Sequence, residues 1–263
     1  MRVFLLLALL LGFAPSFEAG AAEPDAQAIL KAIHLRERGK DLLWDLTIDL
    51  TDKGGDTRQR TGKIYRRTIE GGRSEQVTVF LSPANIRHTA LLKVEAEDAA
   101  DYMWLYLPAL KVTKRVPPAE RGDKFVGTDF TMEDVNLGFE YQDYQGTVLE
   151  TKNEDGHPVA IMRIEPKTAE LKHDLGFDHV ITKVRTDQSI ITDQHFFKGD
   201  REIRHNEALD IRLIDGVLTP MDLRSHDLVN DHKTVLKVLT AKYNSGVPAS
   251  YFSEEALARE MYH

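Results

Sequence analysis

Two histidine–carboxylate pairs, His226-Asp227 and Asp231-His232, fall within seven residues, and these residue types could in principle ligate a transition metal. Val229-Asn-Asp231 reads as the turn of a hairpin, where Asp and His are favoured for solvation alone. Spacing does not make the four side chains converge, so the expectation is a solvated turn with no metal and no other cofactor. A second concentration of charge places Asp123, Asp129, Glu133 and Asp134 near Arg115, Arg121 and Lys124. A polar rim or a hydrolytic carboxylate pair is conceivable there, but ion pairing within a loop needs fewer assumptions. His173 and His179 read as surface residues, in a polar loop and the strand that follows it. The chain has no G-x-S-x-G, H-E-x-x-H or P-loop pattern, and without cysteine it has no thiol nucleophile. No enzyme activity is expected.

The sequence is more informative about apolar surface. Tyr102–Leu107 reads YMWLYL, a strand apolar on both faces, and it runs through Pro108 into the basic stretch Lys111–Arg115. An antiparallel strand normally turns one polar face to water. One that is apolar on both must meet a helix, a second sheet or an apolar ligand on its other side.

The elements around it are mostly strands. Trp44, Leu46, Ile48 and Leu50 alternate with Asp45, Thr47, Asp49 and Thr51, the period-two signature of a half-buried strand. Asp52-Lys-Gly-Gly-Asp56 turns the chain into a hairpin partner at 58–69, and Val77, Val79 and Leu81 share one face of the next strand. Further strands are expected near 90–95, 102–107, 111–116, 142–152, 159–165, 179–186, 191–198, 202–213, 218–228 and 233–243. Pro24–Gly39 fits an amphipathic helix with Ile29, Leu30 and Ile33 on one side, and Ser253–Met261 fits a short helix capped by Ser253. The fold class is therefore mostly β: a curved antiparallel sheet, an incomplete barrel, closed by a few helices. Helix 25–38 and the irregular segments 83–89 and 117–138 are the candidates to cover its inner face.

At the start, Arg2, the apolar run Val3–Leu11, Pro15 and the small residues Ala19-Gly20-Ala21-Ala22 form the pattern of a cleaved export signal, residues 1–22, ahead of a single domain at 23–263. The apolar run is too short to span a bilayer, so membrane contact is expected to be transient, not integral. Zero cysteines mean a fold without disulfide staples and no site for lipid attachment through a thiol. With 34 Lys plus Arg against 42 Asp plus Glu, the chain is acidic, which argues against nucleic acid as a partner.

Several stretches carry a family resemblance. They are Phe80-Leu-Ser-Pro-Ala-Asn-Ile86, Asp101-Tyr-Met-Trp-Leu-Tyr-Leu-Pro-Ala-Leu-Lys111, Glu120-Arg121-Gly122, Phe125-Val-Gly-Thr-Asp-Phe130 and Glu133-Asp134, with His232-Lys-Thr-Val235 and Tyr251-Phe-Ser253 further on. Together they resemble the outer-membrane lipoprotein-sorting protein family, in particular LolA-like periplasmic proteins often encoded beside exporters of the resistance-nodulation-division type. Arg87-His88 and the segment 169–178 depart from the family pattern. The resemblance implies a half-barrel whose apolar cavity shields acyl chains, with burial contributing about 0.8 kcal/mol per methylene. It implies a periplasmic carrier or chaperone for a lipoprotein's acyl anchor or a lipid, handing its cargo toward the outer membrane. The alternative is an accessory protein that docks an inner-membrane exporter through Arg115, Arg121, Lys124 and Phe125. Because alternate residues of a strand point to opposite faces, either Trp104 and Tyr106 or Met103, Leu105 and Leu107 can line the cavity. The aromatic set is the expected lining, with Tyr102, Val77, Val79 and Leu81 beside it, since Trp and Tyr combine wide apolar surface with a polar tip.

Overall fold

The computed structural model describes residues 25–96, 101–135 and 140–262; the expected export signal lies outside them. Every strand expected from the alternation is present. The first six are β1 (Asp41–Thr51), β2 (Thr57–Thr68), β3 (Ser74–Ser82), β4 (Ala90–Val94), β5 (Tyr102–Leu107) and β6 (Val112–Arg115). The remaining seven are β7 (Tyr144–Glu154), β8 (His157–Pro166), β9 (His179–Arg185), β10 (Ile190–Lys198), β11 (Arg201–Ile214), β12 (Val217–Asp227) and β13 (His232–Tyr243).

All thirteen strands belong to one antiparallel sheet in the order β6-β5-β4-β3-β2-β1-β13-β12-β11-β10-β9-β8-β7. This is two meanders fused where the first strand pairs with the last, from Leu42 opposite Tyr243 to Thr51 opposite Lys233. β6 and β7 stay as edges, so the barrel is incomplete, as expected. The sheet is nonetheless curled. Arg66 on β2 and Ile190 on β10 line one pocket although five strand spacings separate them. In a flat sheet that separation would be roughly 24 Å.

The inner face of the first meander is covered by the chain's own crossover from β6 to β7. Val116, Phe125, Phe130 and Met132 pack there on Leu46, Ile48, Ile64, Phe80, Leu91 and Met103. The helix α1 (Ala26–His34) covers the inner face of the second meander, its Leu30 and Ile33 lying among Ala160, Met162, Ile164 and Phe196. Gly146 on β7 permits this approach, since a Cβ there would sit 3.2 Å from both Ala26 Cβ and Leu30 Cδ1. Asp25 caps the helix by accepting from the Gln27 amide at 2.9 Å.

The structure corrects the expected elements in three places. The first helix ends at His34 instead of running to Gly39. Residues 169–175, expected to be loop, form the helix α2 (Ala169–Leu175), started by the Thr168 side chain accepting from the Leu171 amide and stopped by Gly176 at φ +76°. His179 is buried, its ring stacked at 4.8 Å on Phe197; burial, reinforced by Arg163, depresses its pKa. His173 is exposed, as expected.

Candidate functional site

Beyond the crossover, the inner face opens into a pocket of about 250 Å³ between the end of α1, the start of β1 and the strands β10–β12. Alternation in β1 aims Leu42 and Trp44 into it, and Ile33, Phe130, Val217 and Leu223 complete an apolar wall. Three arginines, Arg36, Arg38 and Arg66, stand in the same lining, with Asp134, Asp193 and Glu207 among its other polar residues.

Local structure explains their convergence. Arg66 lies opposite Leu42 across the β1–β2 pair, so its side chain shares Leu42's inner face. After α1 stops, the chain doubles back through Gly39, whose φ of +72° suits glycine. A Cβ there would come 3.0 Å from the Tyr243 ring. The turn is tied down by the Lys40 amide donating to Asn244 Oδ1 at 2.7 Å. Asp41 accepts from the Ser245 and Gly246 amides at 2.8 and 2.9 Å. Arg36 and Arg38 are thereby folded back over the pocket. Arg36 Nη1 donates to the Leu218 carbonyl at 2.8 Å, and Arg38 Nη2 to the Ile33 carbonyl at 3.2 Å. Burial, reinforced by the neighbouring Arg38 guanidinium, brings Arg36 and Arg66 down to about 10, with Glu95 opposing at Arg66; burial also lowers Arg38, against the pull of Glu95 and Glu140.

The residues expected to line a cavity sit elsewhere. Val77, Val79, Tyr106 and the half-buried Trp104 are on the outer face, packed against Phe252, Ala256, Leu257 and Tyr262. That cover is supplied by the C-terminal segment, including the helix α3 (Glu254–Ala258). Tyr102 is exposed at the edge with Arg115 over its ring at 5.1 Å, and Leu81 is half-buried at the end of β3. The opposite set does not reach the pocket either, because Met103 and Leu105 pack with the crossover cluster. The strand apolar on both faces thus has a protein cover on each side. Trp104→Ala is accordingly expected to lower stability by about 1–3 kcal/mol, below the range for a fully buried aromatic. It should leave acyl-probe affinity unchanged, as paired urea denaturation and probe titration would report.

Arg115, Arg121, Lys124 and Phe125 do not make a continuous surface seam. Phe125 is buried and stacks on Phe80 at 5.3 Å, because it anchors the crossover in the core. Arg121 donates to the Asp101 carbonyl at 2.8 Å. Lys124 bonds Asp129 at 2.8 Å and Asp227 at 2.6 Å.

The charged loop is an ion-pair network, the simpler of the two sequence readings. Asp129, fully buried, accepts from Lys124, from Thr234 Oγ1 at 2.8 Å and from His232 Nδ1 at 2.5 Å, which pins the crossover to β13. Asp134 is held by Arg204 at 2.5 Å. Burial works to raise Asp227, but the bonds from Lys124 and from Asn230 and Val229 outweigh it and hold the carboxyl well below its ordinary range.

The paired motif at 226–232 is therefore divided: His232 serves Asp129, Asp227 serves Lys124, and His226 meets Asp231 at 3.0 Å near the surface. A different group, Asp193, His195 and His205 on β10 and β11, brings potential ligand atoms within 4.8 Å of one another. In the structure Asp193 bridges the two rings, 2.6 Å from His205 Nε2 and 3.4 Å from His195 Nε2, while Glu202 takes His195 Nδ1 at 2.7 Å. Sequence reasoning missed this group because the three residues become neighbours only through the β10–β11 register, in which His195 faces His205. It also missed the three arginines. Their one signal was Arg66, a charge two residues from Ile64 and therefore on the same, inward face.

Comparison with known proteins places this geometry. A domain classed as an outer membrane lipoprotein-sorting protein from Vibrio parahaemolyticus superposes with a TM-score of 0.80 at 20% identity, over 89% of this chain and 98% of that one. A DUF1329 family protein from Desulfovibrio piger gives 0.79 at 22% identity, over 88% and 97%. A LolA superfamily protein from Nitrosomonas europaea gives 0.67 at 15% identity, over 89% and 99%. The fold is that of the LolA-like, lipoprotein-sorting proteins. A family model described as "uncharacterized protein" matches residues 72–259, more than half of the chain, and the chain belongs to that family. No curated protein matches it. Among the described residues no helix is long and apolar enough to cross a membrane.

Proposed function

We propose that this protein is a periplasmic carrier that takes the acyl chain of a lipid or a lipoprotein anchor into the pocket beside Leu42 and Trp44 and hands it on toward the outer membrane. The carrying observation is the pocket itself: apolar wall is left open on the inner face of an incomplete barrel whose remaining inner surface the chain covers with its own crossover and α1. The likeness to a lipoprotein-sorting domain supports the same reading. No bond chemistry is required, since removing methylenes from water at about 0.8 kcal/mol each is sufficient to hold a chain. The exporter-docking alternative loses its aromatic element, because Phe125 is interior.

Ala208, which lines the pocket from β11, provides the test. Ala208→Trp is expected to reduce the affinity for a fluorescent acyl probe at least tenfold, corresponding to about two methylenes kept in water at ~0.8 kcal/mol each. The urea midpoint should be nearly unchanged. Equal probe affinity in a folded variant would place the acyl site elsewhere, and native mass spectrometry of protein from its own envelope would identify the cargo.

A further inference from the structure

Arg66 is the least expected residue of the inner face. Its side chain is 5% exposed, and neither Nε nor Nη1 has a hydrogen-bond partner among the described residues. A buried charge is ordinarily paired or hydrogen-bonded, because leaving it unpaired costs several kcal/mol. Arg38 Nε is buried and unpartnered in the same way. Among the described residues no carboxylate lies within ion-pair distance of Arg36, Arg38 or Arg66. Their bonds among the described residues, to the Leu218 and Ile33 carbonyls, use one donor each of Arg36 and Arg38.

The opposite wall does not neutralise them. Asp134 is held by Arg204 and Asp193 by His205, which leaves Glu207 as the remaining carboxylate of the lining. From outside the lining, Glu95 attracts Arg38 and Arg66, Glu140 attracts Arg38 and Glu37 attracts Arg66, all from beyond bonding distance, and Glu95 is itself bonded by the Ser74 amide at 2.6 Å. Three cationic forks with spare donors therefore face a pocket whose apolar wall is formed by Leu42, Trp44, Ile33 and Val217. Guanidinium groups match the planar or tetrahedral oxygens of carboxylate and phosphate with paired N–H donors.

Building on the acyl-carrier reading, we infer that the ligand is an anionic amphiphile whose phosphate or carboxylate head seats on Arg66, flanked by Arg36 and Arg38, while its chain lies along Leu42 and Trp44. The anionic head then supplies Arg66 with a bonding partner that the described residues do not place within reach, and the arginines fix which end of the amphiphile enters the pocket. Selectivity follows, because an uncharged head would leave the same donors unsatisfied.

The test compares three ligands of equal chain length, dodecyl phosphate, dodecanoate and uncharged monododecanoylglycerol, titrated into the whole mature chain. The expected result is at least tenfold tighter binding of one or both anions than of the glycerol ester. Preference between phosphate and carboxylate identifies the source of the anion. Arg66→Met should abolish that discrimination, by weakening the anions far more than the glycerol ester, and leave the urea midpoint of the unliganded protein unchanged or higher, since a buried charge without a hydrogen-bonded carboxylate is replaced by an apolar chain. Arg38→Gln, at a less buried position, should reduce the discrimination in the same direction. Equal affinity for all three ligands in the wild type would overturn the inference while leaving the acyl pocket in place. Binding of none of them, with Ala208→Trp indistinguishable from wild type, would overturn the pocket reading and the inference with it. Discrimination that survives both arginine variants would also overturn the inference, by placing the anion site elsewhere.

Discussion

Asp129→Ala should cost about 3–5 kcal/mol of folding stability, toward the lower end of that range, as urea denaturation would measure. Asp129 is fully buried and receives bonds from Lys124, His232 and Thr234, while its own amide donates to Thr234 Oγ1 at 2.9 Å and its carbonyl accepts from Ser225 Oγ at 3.1 Å. Removing the carboxylate leaves the donors of Thr234 and His232 without their partner at the place where the crossover meets β12 and β13. Lys124 loses less, because it is 41% exposed and keeps Asp227 and water. That residual solvation keeps the cost near the lower figure. Asp123→Ala, six residues earlier in an exposed position, is the matched control and should change stability by no more than about 0.5 kcal/mol. Similar effects for the two variants would mean that the crossover is held by its apolar residues alone, Phe125, Phe130 and Met132.

Leu257→Ala, on the outer face, should cost about 2–5 kcal/mol, the range for emptying a buried leucine site. Leu257 is buried against the apolar outer surfaces of β2–β5, in a cluster with Tyr65, Val77, Leu92 and Tyr106. Loosening the C-terminal cover exposes contiguous apolar sheet surface, so the variant should also self-associate at concentrations where the wild type does not, which light scattering would detect. Acyl-probe affinity at a temperature where the variant is folded should match the wild type, because the pocket is on the other side of the sheet. A fall in affinity without loss of stability would reverse the assignment of faces.

The alternation of Trp44, Leu46, Ile48 and Leu50 with polar neighbours was enough to place β1, and similar patterns placed the other strands, because a side-chain period of two is a local property of extended backbone. The same periodicity showed that Trp104 and Tyr106 point away from Met103 and Leu105. It carries no sign, however: nothing within 102–107 says which face looks inward. That was decided by the β4–β5 register, which sets Leu92 beside Trp104 on the outer face and Leu91 beside Leu105 on the inner one, and by a C-terminal segment arriving from about 150 residues away in the chain. Helix α2 was legible in its caps, Thr168 and Gly176, but too short to show an apolar stripe.

By itself, then, the sequence determined the strands, their turns, the open antiparallel class, the lack of standard catalytic patterns and the resemblance to lipoprotein-sorting proteins, all of which depend on residues close together in the chain or on segments matched one at a time. Tertiary structure alone decided that the crossover and α1 cover the inner face but leave a pocket between them, that Asp129 is a buried anchor and not part of a rim, and that Arg36, Arg38 and Arg66 meet over that pocket. The physical reason is common to all three. Burial and charge pairing depend on which distant strands the curled sheet brings together, and a one-residue change in register would point each of these side chains the other way.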